Sequence, residues 1–231
     1  MAEMTVLSIA HRGEPLGHRE NTVEAVTAAI EAGAEMIEID VRLTADGAPV
    51  LLHDATLARL WGVQHPLGAL DLAQVQQLEG PGGERIPGLE EIARLATQRN
   101  RQLMVDLPAG DAGPVAFDLL ERLGVLDGML FAGETGSLRA HAPAARIALS
   151  WERLALPDEN LLAERRPEYF NPYFRLLTAE VADRMHERGV KVSVWTVDHP
   201  GDMAAAIAQG ADAIISNRIA ELIDVIEGHQ G

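Results

Sequence analysis

Short β-branched and aliphatic runs alternate with longer segments of helical periodicity along the whole chain, and this rhythm restricts the fold more than any single motif does. Strand-like runs lie at Thr5–Ala10, Met36–Leu43, Gln102–Leu107, Gly128–Ala132, Arg146–Trp151, Tyr169–Tyr173, Lys191–Val197 and Ala213–Ser216. Helical patterns follow them at Thr22–Ala32, Leu89–Gln98, Val115–Leu123, more weakly Thr135–Ala140, then Asp158–Arg165, Ala179–Arg188, Met203–Ala208 and Ile219–Glu227. A helix between successive strands makes them parallel, because a parallel neighbour can be reached only by a long crossover. Eight such units predict an α/β fold, a TIM-type (β/α)8 barrel, as one domain over residues 1–231. The rhythm breaks once, after the second strand. There Ala45-Asp46-Gly47-Ala48 supplies an Asp-Gly turn and Pro49–His53 a second short strand. Residues 54–87, with a helical pattern at Leu70–Leu78, form a small insertion expected to lie as a lid over one barrel end.

Charge and composition narrow the partners. Thirty-five acidic against nineteen basic residues give a net charge of −16, which repels polyanions and excludes nucleic acid as a partner. The same charge, with no basic amphipathic helix, argues against stable membrane association. With no cysteine, a metal must sit on carboxylate oxygen or imidazole. The opening MAEMTVLSIAHRG has no basic segment followed by a long apolar run, and no stretch approaches the ~20 apolar residues of a membrane span. The expectation is a cytoplasmic monomer or homodimer acting on a small molecule.

Strand periodicity then places the acids. In IEID, Glu38 and Asp40 share one face while Ile37, Ile39 and Val41 take the other. In LMVDLP, Asp106 faces away from Leu103, Val105 and Leu107 and would neighbour that pair. Carboxylates so placed repel unless a cation joins them, and hard oxygen ligands suit Mg²⁺, Ca²⁺ or Mn²⁺. His11 ends the first strand and His53 the hairpin strand, so two imidazoles reach the C-terminal mouth, where they suit acid–base work on a phosphoester. Arg12 suits a phosphate oxygen or an ion pair with Glu20. Trp195 shares the inward face with Ser193 and either packs on a glycerol or choline-like group or fills the core. Asn171 and Tyr173 either line the pocket or form a turn. Thr22 is placed to cap the first helix, and Glu20 and Asn21 to orient it.

Read together, AHRG, Glu20-Asn21-Thr22, EID, LTADGAPVLLHDATL, IPGLEE at Ile86–Glu91, Trp195-Thr196-Val197 and Gly210–Ile215 resemble the glycerophosphodiester phosphodiesterase family. The resemblance implies a TIM-type barrel with an insertion after the second strand, and metal-dependent hydrolysis of glycerophosphodiesters to sn-glycerol 3-phosphate and an alcohol. It implies His11 and His53 as the acid/base pair, Glu38 and Asp40 as metal ligands, and Arg12 as a phosphate contact. Which histidine is the acid is left open. The sequence is also similar to the sphingomyelinase D and phospholipase D toxins, which implies, as an alternative, headgroup transfer giving a cyclic phosphate. A further alternative is a catalytically weak barrel that binds metal and phosphate.

The chain departs from the family on the third barrel strand. Where the family has Glu-x-Lys, this sequence has Asp106-Leu107-Pro108. Aspartate keeps the metal-ligand charge, but Pro108 removes a phosphate-binding cation, a contact of a kind commonly worth ~2.7–4 kcal/mol in the transition state. Arg42 and Arg218 are the sequence's candidates to replace it. Arg19 stands where a proline is usual before Glu20.

Overall fold

The structure, a computed structural model, describes residues 6–229. In chain order its elements are β1 (Leu7–His11), α1 (Val23–Glu31), β2 (Met36–Leu43), β3 (Pro49–Leu51), α2 (Ala58–Trp61), α3 (Leu72–Val75), α4 (Leu89–Gln98), β4 (Gln102–Leu107), α5 (Ala112–Leu123), β5 (Met129–Gly133), α6 (Gly136–His141), β6 (Ala148–Trp151), α7 (Glu159–Arg165), β7 (Tyr169–Pro172), α8 (Ala179–His186), β8 (Lys191–Val194), α9 (Pro200–Ala208), β9 (Ala213–Ser216) and α10 (Ile219–His229). Eight strands run parallel in the order β5-β4-β2-β1-β9-β8-β7-β6, and the parallel bridge Phe131↔Ile147 brings the two end strands together. The fold is the expected TIM-type barrel, with β3 paired antiparallel to β2 as the hairpin.

Period-two alternation divides each strand between two environments. On β2 and β4, Ile37, Ile39, Val41, Val105 and Leu107 face outward into the layer shared with Ala29, Ile92 and Leu120 of the helices. Inward residues nearer the strand starts, among them Ile9, Met36, Met104, Leu130 and Tyr169, form a separate apolar plug inside the barrel. Each large side chain buried in this way stabilises the fold by about 1.5–3 kcal/mol. The plug closes the lower barrel, so inward positions near the strand ends are the ones left for chemistry.

Element boundaries shift for local reasons. The first strand extends to His11, whose backbone stays in register with Glu38, while Thr5 lies outside the described residues. β8 ends at Val194, short of the expected Val197, and beyond it Trp195 keeps only an isolated bridge to Tyr173. The hairpin strand stops at Leu51, leaving His53 in the following loop. α5 starts three residues before the expected Val115, because proline is tolerated in a first helical turn. The Leu70–Leu78 pattern contracts to Leu72–Val75, started by a reciprocal capping box between Asp71 and Gln74.

The insertion is not the expected lid. Its apolar residues Leu57, Leu67, Val75 and Ile86 join Val50 and Leu52 in a small core of their own beside the hairpin. None of residues 54–87 lines the cavity at the barrel mouth, so the segment buttresses the rim without covering it.

Candidate active site

At the C-terminal mouth lies a cavity of about 730 Å³ whose lining includes His11, Arg12, Glu38, Asp40, His53 and Asp106. Register explains the convergence: in the parallel ladders His11 pairs with Glu38, and Asp40 with Asp106. Glu38, Asp40 and Asp106 each offer a carboxylate oxygen, all within 4.8 Å of one another. Burial, then the charges of Asp40 and Asp106, push Glu38 well above the usual carboxylate range. Burial and Asp40 push Asp106 up to about 7, against the opposing pull of Arg12 and Arg42. Three acids held this close, Glu38 and Asp40 buried and Asp106 half-buried, resist full ionisation, and that tension makes the donor set fit a hard divalent cation.

The loop after β1 braces this cluster. Arg12 adopts a left-handed backbone at φ 58°, and its N–H donates to Glu38 Oε2 at 2.8 Å. Asn21, also at φ 58°, donates from Nδ2 to Asp40 Oδ2 at 2.7 Å and accepts from the Asp40 N–H at 3.0 Å. Such conformations are unfavourable for residues with a side chain and persist where surrounding contacts impose them. Gly13 lets the loop close onto α1, since a Cβ there would stand 2.6 Å from the Ala25 carbonyl carbon. Thr22 caps α1, accepting from the Ala25 N–H at 3.2 Å as expected. The Arg12 guanidinium lies 2.9 Å from Glu20 and 3.2 Å from Asp40. Burial disfavours its charge, but Asp40, Glu38 and Glu20 outweigh that and raise its pKa.

The two histidines have different partners. His11 Nδ1 is 2.7 Å from Asn217 Oδ1. Asn217 Nδ2 and its backbone N–H both donate to Asp198, at 2.7 and 2.9 Å. A carboxylate only accepts, so the amide nitrogen must face Asp198 and the amide oxygen must face the ring. His11 therefore carries its proton on Nδ1 and turns Nε2, 3.9 Å from Glu38, toward the acids. Burial, then the Arg12 charge, lowers its pKa and favours the neutral ring. His53 Nδ1 instead meets the Asp54 carboxylate at 2.8 Å. Arg59 binds both Asp54 and Glu20, holding the Asp54 carboxyl far below the usual range. A chain of side-chain hydrogen bonds thus runs from His53 through Asp54, Arg59 and Glu20 to Arg12.

Trp195 lines the cavity and donates from Nε1 to the Asn171 carbonyl at 2.9 Å. Asn171 lies on β7, buried, and its side chain accepts from Ser193 at 2.8 Å; it lines the cavity, whereas Tyr173 does not. Neither sequence candidate for the missing lysine reaches the cavity wall. Arg42 donates to the His53 carbonyl at 2.7 Å, and Arg218 pairs with Glu221. The arginines that do line it besides Arg12 are Arg153 and Arg165, which sequence reasoning passed over, as it did Asn217 and Asp198. Asn217 carried a usable signal: it continues the inward alternation of Ala213 and Ile215 past the end of β9.

A family model, the glycerophosphoryl diester phosphodiesterase family, matches residues 11–112 and 133–221. A glycerophosphodiester phosphodiesterase from Caldanaerobacter subterraneus subsp. tengcongensis is 28% identical, over 96% of this chain and 98% of its own. Among solved structures, an Oleispira antarctica phosphodiesterase in complex with the product sn-glycerol-3-phosphate superposes with a TM-score of 0.86, at 24% identity and 96% coverage of both chains. A glycerophosphodiester phosphodiesterase from Thermotoga maritima gives a TM-score of 0.81, at 22% identity, over 95% of this chain and 98% of its own. The matched segments contain both histidines, all three clustered acids and the strands on either side of them, and the chain belongs to the glycerophosphoryl diester phosphodiesterase family, a family of phosphoric diester hydrolases.

Proposed function

We propose that the protein hydrolyses small glycerophosphodiesters to sn-glycerol 3-phosphate and an alcohol, with His11 as general base and His53 as general acid. The observation that carries this reading is the convergence of Glu38, Asp40, Asp106, His11 and His53 on one cavity. Glu38, Asp40 and Asp106 would hold a divalent cation, Mg²⁺ or Ca²⁺ with Mn²⁺ also suited; such an ion supplies charge neutralisation for the phosphoryl oxygens. Arg12, beside the acids, adds a second cationic contact for the phosphate.

His11 Nε2 is unprotonated in the tautomer that Asn217 selects, so it can accept the proton of the attacking oxygen. His53, partnered by Asp54, delivers a proton to the alkoxide as the phosphorus–oxygen bond to the alcohol breaks. With water attacking, the proton gained at His11 and the proton lost at His53 balance over the turnover. The net charge of −16 keeps this chemistry on dissolved diesters and away from anionic surfaces. Among the described residues no helix is long and apolar enough to cross a membrane.

The test is release of sn-glycerol 3-phosphate from a panel of glycerophosphodiesters, with Mg²⁺, Ca²⁺ and Mn²⁺ supplied separately. His11→Ala should abolish release from every substrate. His53→Ala should recover activity on a diester whose leaving group is an acidic phenol, which departs without a proton. Folded protein that releases nothing with any ion would refute the reading, and accumulation of a cyclic phosphate would replace hydrolysis with headgroup transfer.

A further inference from the structure

The far wall of the cavity carries charge that the reaction above does not use. β6 lies four strands from β1 in either direction around the barrel, so the β6–α7 segment stands across the mouth from His11. That segment contributes Arg153, in the loop after β6, and Arg165, the last residue of α7. Neither guanidinium donates a hydrogen bond among the described residues. Arg153 lies 5.4 Å over the Trp151 ring. Arg165 Nε is shielded from solvent without a hydrogen-bond partner, and the nearest carboxylate, Glu164 at 3.4 Å, is on a side chain 67% exposed. Arg12, by contrast, is already engaged by Glu20 and Asp40.

The chain makes room for Arg165 in particular. A Cβ at Gly136 would stand 2.6 Å from Arg165 Nη1 and 3.1 Å from Nη2, so the absence of a side chain at 136 lets the guanidinium lie across the start of α6. A partly shielded guanidinium with unused donors is a ready partner for a planar oxyanion. Glu134 and Glu152 line the same cavity, so it offers both signs of charge.

We propose that Arg153 and Arg165 form a subsite for a carboxylate on the alcohol half of the substrate, with Arg165 as the determinant. The preferred diester then carries an amino-acid alcohol such as serine, whose carboxylate meets the arginines and whose ammonium meets Glu134 or Glu152. Ethanolamine and choline lack the carboxylate and leave the arginines unsatisfied. This inference rests on the phosphodiesterase reading for the identity of the ligand, while the wall itself does not depend on it.

The experiment compares glycerophosphoserine with glycerophosphoethanolamine, which differ by the carboxylate alone. Binding is measured by calorimetry on Mg²⁺-loaded His11→Ala, so that neither ligand turns over, and release of sn-glycerol 3-phosphate is measured on the unaltered enzyme. The serine compound should bind about tenfold or more tightly than the ethanolamine compound. Arg165→Ala in the same background should remove that preference. Gly136→Ala, which displaces only the flexible end of Arg165, should remove it too while leaving the thermal midpoint nearly unchanged. Equal binding of the two ligands would overturn the proposal. Equal weakening of both by Arg165→Ala would also overturn it, because the arginine would then serve the scissile phosphate. A serine preference in binding with no release from any diester would uphold the subsite and refute the reaction.

Discussion

Asn217 Oδ1 accepts a 2.7 Å hydrogen bond from His11 Nδ1, joining the first and last strands of the barrel across 206 residues of chain. The seam between β1 and β9 thereby fixes which nitrogen of a buried imidazole bears the proton. Asp198 completes the arrangement from the β8–α9 loop by holding both the side-chain and backbone nitrogens of Asn217.

If that relay orients the base, Asn217→Ala should lower kcat about 10–100-fold with little change in KM, the usual scale for losing the partner of a functional histidine. Asn217→Asp gives a sharper reading. A carboxylate beside the ring favours the imidazolium, so the acid limb of the kcat/KM profile should move to higher pH. In the unaltered enzyme that limb should fall below 6.5, because burial and then Arg12 lower the His11 pKa. Rate–pH profiles of the three proteins check both signs.

The acidic cluster predicts a pH-dependent response to metal. Asp106 titrates near 7 in the folded protein against 3.8 for the free side chain, and Glu38 is raised as well. Between those values the unfolded chain has released protons that the folded protein still binds, so rising pH removes stability from the metal-free protein. His11, whose pKa is lowered, acts in the opposite sense below 6.5. The increment in melting temperature on adding Mg²⁺, Ca²⁺ or Mn²⁺ separates the two effects, since binding requires deprotonated carboxylates. That increment should be larger at pH 8 than at pH 5.5, and Asp106→Asn should largely abolish it. An equal increment at both pH values would place the ion elsewhere.

The barrel and its acids are legible in the sequence because both obey a period of two. Ile37, Ile39 and Val41 mark the outer face of β2, and Glu38 and Asp40 are inward by subtraction. The relay and the far wall are not legible in that way. Asn217 lies one residue beyond the last strand, and its role depends on Asp198, brought to it by a different loop. Arg165 ends a helix that periodicity locates well, but it reaches the mouth through a long flexible side chain over Gly136, a contact set by tertiary packing alone. The lid expectation failed for a related reason: the apolar residues of 54–87 suffice to build a core of their own, so they pack on the hairpin and leave the mouth open.

Arg59 couples the insertion to the site. It bridges Glu20 and Asp54, and the latter holds His53. The Arg59 side chain is 45% exposed, so solvent screens the pairs and Arg59→Ala should cost no more than about 1 kcal/mol of stability. Its effect on rate should be larger than its effect on stability, because Asp54 loses the partner that fixes it against His53. Chemical denaturation beside steady-state kinetics checks the contrast, and activity on the acidic-phenol diester should be spared.

Gly13 is where the loop carrying Arg12 is least forgiving. Its φ of 85° disfavours any side chain, and an added Cβ would come within 2.6–2.8 Å of the Ala25 backbone and Cβ. Those atoms belong to α1, which Thr22 caps and the barrel wall buries, so they cannot give way as a flexible side chain would. Gly13→Ala must therefore either displace the loop or strain the helix, at a cost of more than about 1 kcal/mol. Displacing the loop withdraws the Arg12 N–H from Glu38 and the guanidinium from Asp40, loosening two of the three clustered acids together. The expected outcome is a lower denaturation midpoint together with weaker Mg²⁺ binding. A variant that loses stability but binds the ion as tightly as before would show that the β1–α1 loop does not organise the metal-binding acids.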